Sequence, residues 1–276
     1  MQDADYVIFV GGLNKNKKQD CEGRDREAYE LPYGQNEVIA ALAAARPDLV
    51  YVNISGTPVA MPFVDQVGAI LQAWYLGSEA GRAIADVLTG AVNPSGKLPF
   101  TFPVALSDGP VKTRQQYPGV QDENGNWQVY YDEGIYVGYR WYDSKEVEPL
   151  FPFGYGLSYT SFEYSDLRVP KTFSDGMKLR IRVRNSGEVA GAEVVQLYIA
   201  DEQASVDRPV KELKGFDKVY LEPGESKVVE FTLDRSALSF FDEASHSWVA
   251  EPGDFQVLVG SSSRDIRAQA SFRLTR

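Results

Sequence analysis

Twelve residues near the start of the chain, CEGRDREAYELP at 21–32, gather the groups best able to do chemistry. Glu22 is a carboxyl beside Gly23, whose missing side chain lets the backbone bend close to a ligand. Asp25 and Arg26 follow, and Arg26 can pair with Asp25 or another carboxylate and fix the loop. A carboxyl held in this way can give and take a proton. The spacing is common by accident, however, and a solvated charged loop fits the same residues. Asp132 and Glu133, acids among aromatics in YYDEG, read as surface groups that could border a binding subsite. Cys21 and His246 are the single cysteine and the single histidine. They form a nucleophile and base only if the fold joins them, and an incidental thiol is the simpler reading. One of each excludes an internal disulfide and argues against a zinc site, so no metal and no cofactor is expected. VGGLNKNKK lacks the G-x-G-x-x-G spacing of a dinucleotide site.

The elements that must position Glu22 come from the first hundred residues. DYVIFVGG is a short apolar run ending in glycines, which suits a strand buried on both faces. QNEVIAALAAARP puts Val38, Ile39, Leu42 and Ala45 on one helical face, and Pro47 stops it. DLVYVNIS and GAILQAWYLG read as two further strands. SEAGRAIADVLTG reads as a second helix, with Ser78 as its N-cap and Gly90 at its end. Strand–helix alternation implies α/β architecture, a parallel sheet with flanking helices. About three strands and two helices are too few to cover such a sheet, so this part is expected to be incomplete. Glu22 follows the end of the first strand, where α/β sheets present ligand-facing loops.

From about residue 160 the pattern changes. MKLRIRVR alternates Met177, Leu179, Ile181 and Val183 with Lys178, Arg180, Arg182 and Arg184, one face for a core and one for water. EVVQLYIA, SKVVEFTL and DFQVLVGSSS repeat the pattern less cleanly between turn signals. Roughly seven strands fit, an all-β sandwich of immunoglobulin or fibronectin type III topology. Between the two parts lies a stretch rich in Pro, Gly and aromatic residues. It is too aromatic for a flexible linker and is expected to pack down, with a few rings free to stack on sugar faces. The organisation expected is 1–104 α/β, 105–159 aromatic interdomain segment, and 160–276 fibronectin type III-like domain.

A net charge of −11 argues against nucleic acid or an anionic membrane as the main partner. No run of apolar residues is long enough to span a bilayer.

Four stretches, in order, carry a resemblance. They are VGGL…CEGRDREAYELPYGQNEVI, GSEAGRAIADVLTGAVNPSGKLPFTFP, YVGYRWYD with PLFPFGYGLSYTSFEYSDL, and RPVKELKGFDKVYLEPGESKVVEFTL. Together they resemble the C-terminal half of glycoside hydrolase family 3 enzymes, the β-glucosidase and β-xylosidase group. The lysine-rich spacer, Cys21 and Tyr33 depart from the family pattern without touching its Glu-Gly-x-Asp-Arg motif.

The resemblance implies retaining hydrolysis of β-linked sugars, with an oligosaccharide or aryl β-glycoside as substrate. It implies an N-terminal barrel domain that holds an aspartate nucleophile, and Glu22 as the acid/base. Asp25 and Arg26 would contact the sugar or support the loop. A barrel alone takes about 250 residues, so the nucleophile is expected outside this chain, and the chain alone is expected to be inactive. A periplasmic or extracellular setting, with any export signal upstream, and a homodimer are further expectations. The alternative is a non-catalytic carbohydrate-binding or structural module. In that case the aromatics of 117–142 should form a groove that holds sugar unaided.

Overall fold

In the computed structural model the described residues are 4–16, 18–24 and 26–275. They fall into two compact units, Met1–Thr89 with Phe102–Asp108, and Gly90–Thr101 with Gly109–Arg276.

The first unit contains a parallel sheet of three strands in chain order: β1 (Ile8–Gly12), β2 (Val50–Ile54) and β3 (Ala69–Gln72). Val10 stands opposite Val52, and Val52 opposite Leu71. Helix α1 (Gln35–Ala45) connects β1 to β2, and α2 (Ala80–Leu88) follows β3. This gives the expected strand–helix alternation, with three local differences. β2 alone is buried along most of its length, whereas Ile8 and Val10 of β1 are exposed. β1 is an edge strand, and among the described residues nothing covers that face. The buried seam of α1 is Ile39 and Ala43, an i, i+4 pair, while Val38 and Ala45 lie open. Ser78 does not cap α2. The amide of Ala80 donates to the Gly77 carbonyl at 3.1 Å, so Ser78 sits inside a preceding turn and Glu79 takes the cap position.

The second unit contains a small hairpin, β4 (Val120–Gln121) and β5 (Trp127–Gln128), and the short helix α3 (Tyr139–Ser144). Its body is an antiparallel sandwich. One sheet has the order β10 (Ser226–Leu233), β7 (Met177–Asn185), β6 (Phe162–Arg168). The other runs β14 (Ile266–Leu274), β13 (Gly253–Gly260), β8 (Gly191–Asp201), β9 (Glu212–Leu221). A further hairpin, β11 (Phe240–Asp242) with β12 (Ser247–Val249), lies between β10 and β13 in sequence. The three and four main strands make up the seven that the alternation implied. β7 alternates without a break: Met177, Leu179, Ile181 and Val183 enter the core, where Leu197, Phe231 and Val257 also lie. Its outward cations meet acids on neighbouring strands, for example Arg180 and Lys178 with Glu230 at 2.6 and 2.7 Å.

The aromatic segment packs down only in part. After Gly138, Tyr139 stacks on Phe153 at 5.0 Å and meets the buried Tyr198 of β8 edge-on at 5.8 Å. Before it, Trp127 is 57% exposed and Tyr131 78%, because a two-by-two-residue hairpin has too little surface to bury large rings. Residues 90–101 also belong to this unit. Asn93 accepts from Ser158 Oγ at 2.9 Å and donates to the Ala190 carbonyl at 3.0 Å. Lys97 pairs at 3.1 Å with the nearly buried Glu193.

Candidate functional site

The site is built on the C-terminal ends of the parallel strands. β1 ends in Gly11 and Gly12. Gly12 has φ +133°, and a Cβ there would stand 2.0 Å from the Ile54 carbonyl oxygen. Gln35, at the start of α1, braces this turn. Its Oε1 accepts from the Gly12 amide at 2.8 Å, and its Nε2 donates to the Gly12 and Pro32 carbonyls, both at 3.0 Å.

Beneath lies a buried polar network. Asn53 Oδ1 accepts from Tyr51 Oη at 2.7 Å, and Asn53 Nδ2 donates to Ser55 Oγ at 2.9 Å and Gln72 Oε1 at 2.6 Å. Ser55 Oγ donates onward to the Thr57 carbonyl at 2.9 Å, and Gln72 Nε2 to the Ser55 carbonyl at 3.1 Å. Asn53 and Ser55 are both fully buried. Buried polar groups that satisfy one another fix a single geometry, so the 55–58 loop becomes a firm platform.

The long loop after β1 is fastened to that platform. The buried Gln19 accepts from the Asn14 amide at 3.1 Å and donates to Tyr33 Oη at 2.8 Å. Asp20 Oδ2 accepts from the Gly56 amide at 3.1 Å and from Tyr75 Oη at 2.8 Å. A tight turn follows, closed by an antiparallel bridge between Cys21 and Arg24, with Glu22 and Gly23 at its tip. Gly23 adopts φ +78° in open space. Past the turn, the Arg26 guanidinium donates to the Pro58 carbonyl at 2.7 Å and lies 5.9 Å from the centre of the Tyr29 ring. Burial pulls the Arg26 pKa down, and Asp20 is the chief charge pushing back. Tyr29 Oη donates to the Pro103 carbonyl at 2.8 Å. The exposed pairs Arg24–Glu27 at 2.8 Å and Lys18–Glu27 at 3.2 Å add little to stability.

Glu22 is exposed, and among the described residues it makes no hydrogen bond or ion pair. Arg26 has the loop-fixing contact with Pro58 just given. Asp25 lies outside the described residues. Asp132 is exposed, and Glu133 accepts from Gln116 Nε2 at 3.1 Å. Cys21 Sγ donates to the Arg24 carbonyl at 3.5 Å, while His246 sits against Phe241 in the β11–β12 turn of the other unit. Among the described residues no cluster of His, Cys, Asp and Glu could hold a metal ion. Sequence reasoning missed Asp20, Asn53, Gln72 and Tyr75. The available signal was Asn53 and Gln72 standing inside apolar strand runs, since a polar group in a buried strand needs a partner. A solvated carboxyl on a turn anchored at both ends can pass a proton to a group brought against it, and can take one back.

The glycosyl hydrolase family 3 C-terminal domain matches residues 1–139, and the fibronectin type III-like domain matches 193–263. A beta-glucosidase of Bacteroides ovatus is 53% identical over 276 residues, covering 98% of this chain and 36% of that protein. Thermostable beta-glucosidase B of Acetivibrio thermocellus is 47% identical over 274 residues, covering 98% and 35%. The crystal structure of a beta-glucosidase from Streptomyces venezuelae in complex with D-glucose superimposes with TM-score 0.91 at 40% identity, covering 99% of this chain and 34% of that one. The chain thus spans about a third of the length of the curated relatives it matches.

Proposed function

The chain belongs to glycosyl hydrolase family 3, and from that premise we propose that it is the acid/base-bearing part of a retaining β-glucosidase. A preceding barrel domain supplies the nucleophile and most of the sugar pocket. In the first step a carboxylate of that domain attacks the anomeric carbon, and the Glu22 carboxylic acid gives its proton to the departing glycosidic oxygen. In the second step the Glu22 carboxylate takes a proton from water, whose oxygen then displaces the enzyme carboxylate from the sugar. Arg26 holds the loop through Pro58, and Asp25 is assigned to the same support or to a direct sugar contact. The observation that carries this reading is a carboxyl at the tip of a double-anchored turn, exposed and free of partners among the described residues. Exposed Tyr33, Tyr75 and Leu76 on the same unit are assigned to the surface that meets the barrel.

The test uses a single polypeptide carrying the barrel ahead of this chain. Glu22→Gln should slow β-glucosides with poor leaving groups far more than activated aryl glucosides, which depart without a proton. Equal loss on both, or no loss, removes Glu22 from the role. The chain alone should hydrolyse nothing, because the covalent step lacks its nucleophile.

A second reading, sugar binding without hydrolysis, draws on the exposed Trp127, Tyr130 and Tyr131. Titration of the chain alone with a β-linked glucose oligosaccharide separates the two. Binding that disappears on Trp127→Ala favours the module.

A further inference from the structure

The geometry points to Asp20 and Tyr75 as positioning residues that set where the Glu22 carboxyl stands. This rests on the acid/base reading of Glu22 and deepens it. Glu22 lies two residues past Asp20, at the tip of the turn that the Cys21–Arg24 bridge closes, so the turn starts directly from Asp20. Asp20 is the last side chain before the tip with a described hold on the rest of the unit. A single carboxylate oxygen gathers two donors from two different loops, the Gly56 amide after β2 and the Tyr75 hydroxyl after β3. The turn is therefore tied to both loops at once, and a shift of either would carry Glu22 with it.

The packing around this knot is tailored. A Cβ at Gly56 would fall 2.9 Å from the Tyr75 ring and 3.2 Å from Asp20 Oδ2, so any larger residue there would push the Tyr75 ring aside. Burial and the bond to Asp20 push the Tyr75 hydroxyl up to about 12, so it remains a donor across the working range of any such enzyme. Tyr75 and Asp20 are exposed or half-exposed, whereas Asn53 and Ser55 of the polar network are fully buried. The pair thus adds little to the core and acts chiefly on the turn. A proton donor displaced by an ångström loses its alignment with the leaving oxygen while sugar binding and nucleophilic attack remain intact.

In the barrel-containing polypeptide, Tyr75→Phe should lower kcat/KM for phenyl β-glucoside about tenfold, the worth of one charge-assisted hydrogen bond. Its activity on 2,4-dinitrophenyl β-glucoside should stay within about twofold, and KM for that substrate should hold. Asp20→Asn, which keeps the side-chain volume, should show the same selectivity. In the chain alone, amide hydrogen exchange at 21–24 should quicken in Tyr75→Phe while β2 amides keep their protection. Equal losses on both glucosides, or none, with Glu22→Gln still selective for the poor leaving group, would overturn the positioning role and leave the acid/base reading standing. If Glu22→Gln is itself unselective, both fall.

Discussion

Replacing Asn53 by alanine should cost far more than its small size suggests. The side chain is fully buried and makes three hydrogen bonds, at 2.7, 2.9 and 2.6 Å. Ser55 Oγ keeps its bond to the Thr57 carbonyl, but the Tyr51 hydroxyl loses its partner in the buried core and Gln72 Oε1 loses one where it is half-buried. Each orphaned group costs roughly 1–3 kcal/mol, which puts Asn53→Ala at about 4 kcal/mol. A specific reversal is expected. Tyr51→Phe in the native background removes one good bond and should destabilise by about 1 kcal/mol. In the Asn53→Ala background it removes an orphaned donor and should be neutral or stabilising. Hydrogen exchange of the β1, β2 and β3 amides reads the stability of this unit apart from the sandwich. Additive losses in the double variant, with no coupling between the sites, would refute the account of a closed network.

Three further outcomes follow from the same structure. Glu22→Gln should leave the unfolding free energy of the chain within about 0.5 kcal/mol, because an exposed side chain with no partner among the described residues contributes little to folding; a larger change in denaturant melting would give Glu22 a structural job. Gly12→Ala should abolish protection of the β1 and β2 amides, since its Cβ would stand 2.0 Å from a backbone oxygen that cannot step aside. Protection like that of the native chain would contradict this. Glu212 in β9 is pushed up by burial, yet Lys214, Arg208 and Arg140 outweigh that and hold its carboxyl below the usual 4.5. A lowered folded value means that its contribution is complete above about pH 4.5 and is lost as the pH falls through the folded value. Glu212→Gln should therefore flatten the fall of stability below that point, as read by unfolding across pH 3–6. An unchanged slope would count against the network.

The sandwich was legible because its cause is local. A strand half in water must alternate, and β7 shows Met177 to Val183 doing so residue by residue. The parallel sheet was legible only in outline. Continuous apolar runs mark β1 and β2 alike, and nothing in DYVIFVGG says that Ile8 and Val10 lie at an edge. Ser78 looked like a cap because residue type was visible and the Gly77 turn was not. At the site, Glu22 and Arg26 stood out through their motif. Asp20 did not, since its partners lie 36 and 55 positions away along the chain and a carboxylate among lysines looks merely solvated. The aromatic segment misled in part because ring content measures what a segment could bury, and a tiny hairpin offers nowhere to bury it.

The passage of residues 90–101 through the second unit bears on how these halves can be separated. A cut at any single peptide bond from 90 to 108 leaves at least one product lacking a piece of itself. A sandwich begun at residue 109 would forfeit Asn93, which satisfies the backbone of Tyr159 and Ala190, and would strand Glu193 in the interior without the ammonium of Lys97. An unpaired carboxylate in such a place must either drag water inward or take up a proton. Grafting either half onto another protein therefore calls for the whole 90–108 excursion to travel with both, or, for a sandwich begun at 109, for Glu193 to be replaced by an apolar residue.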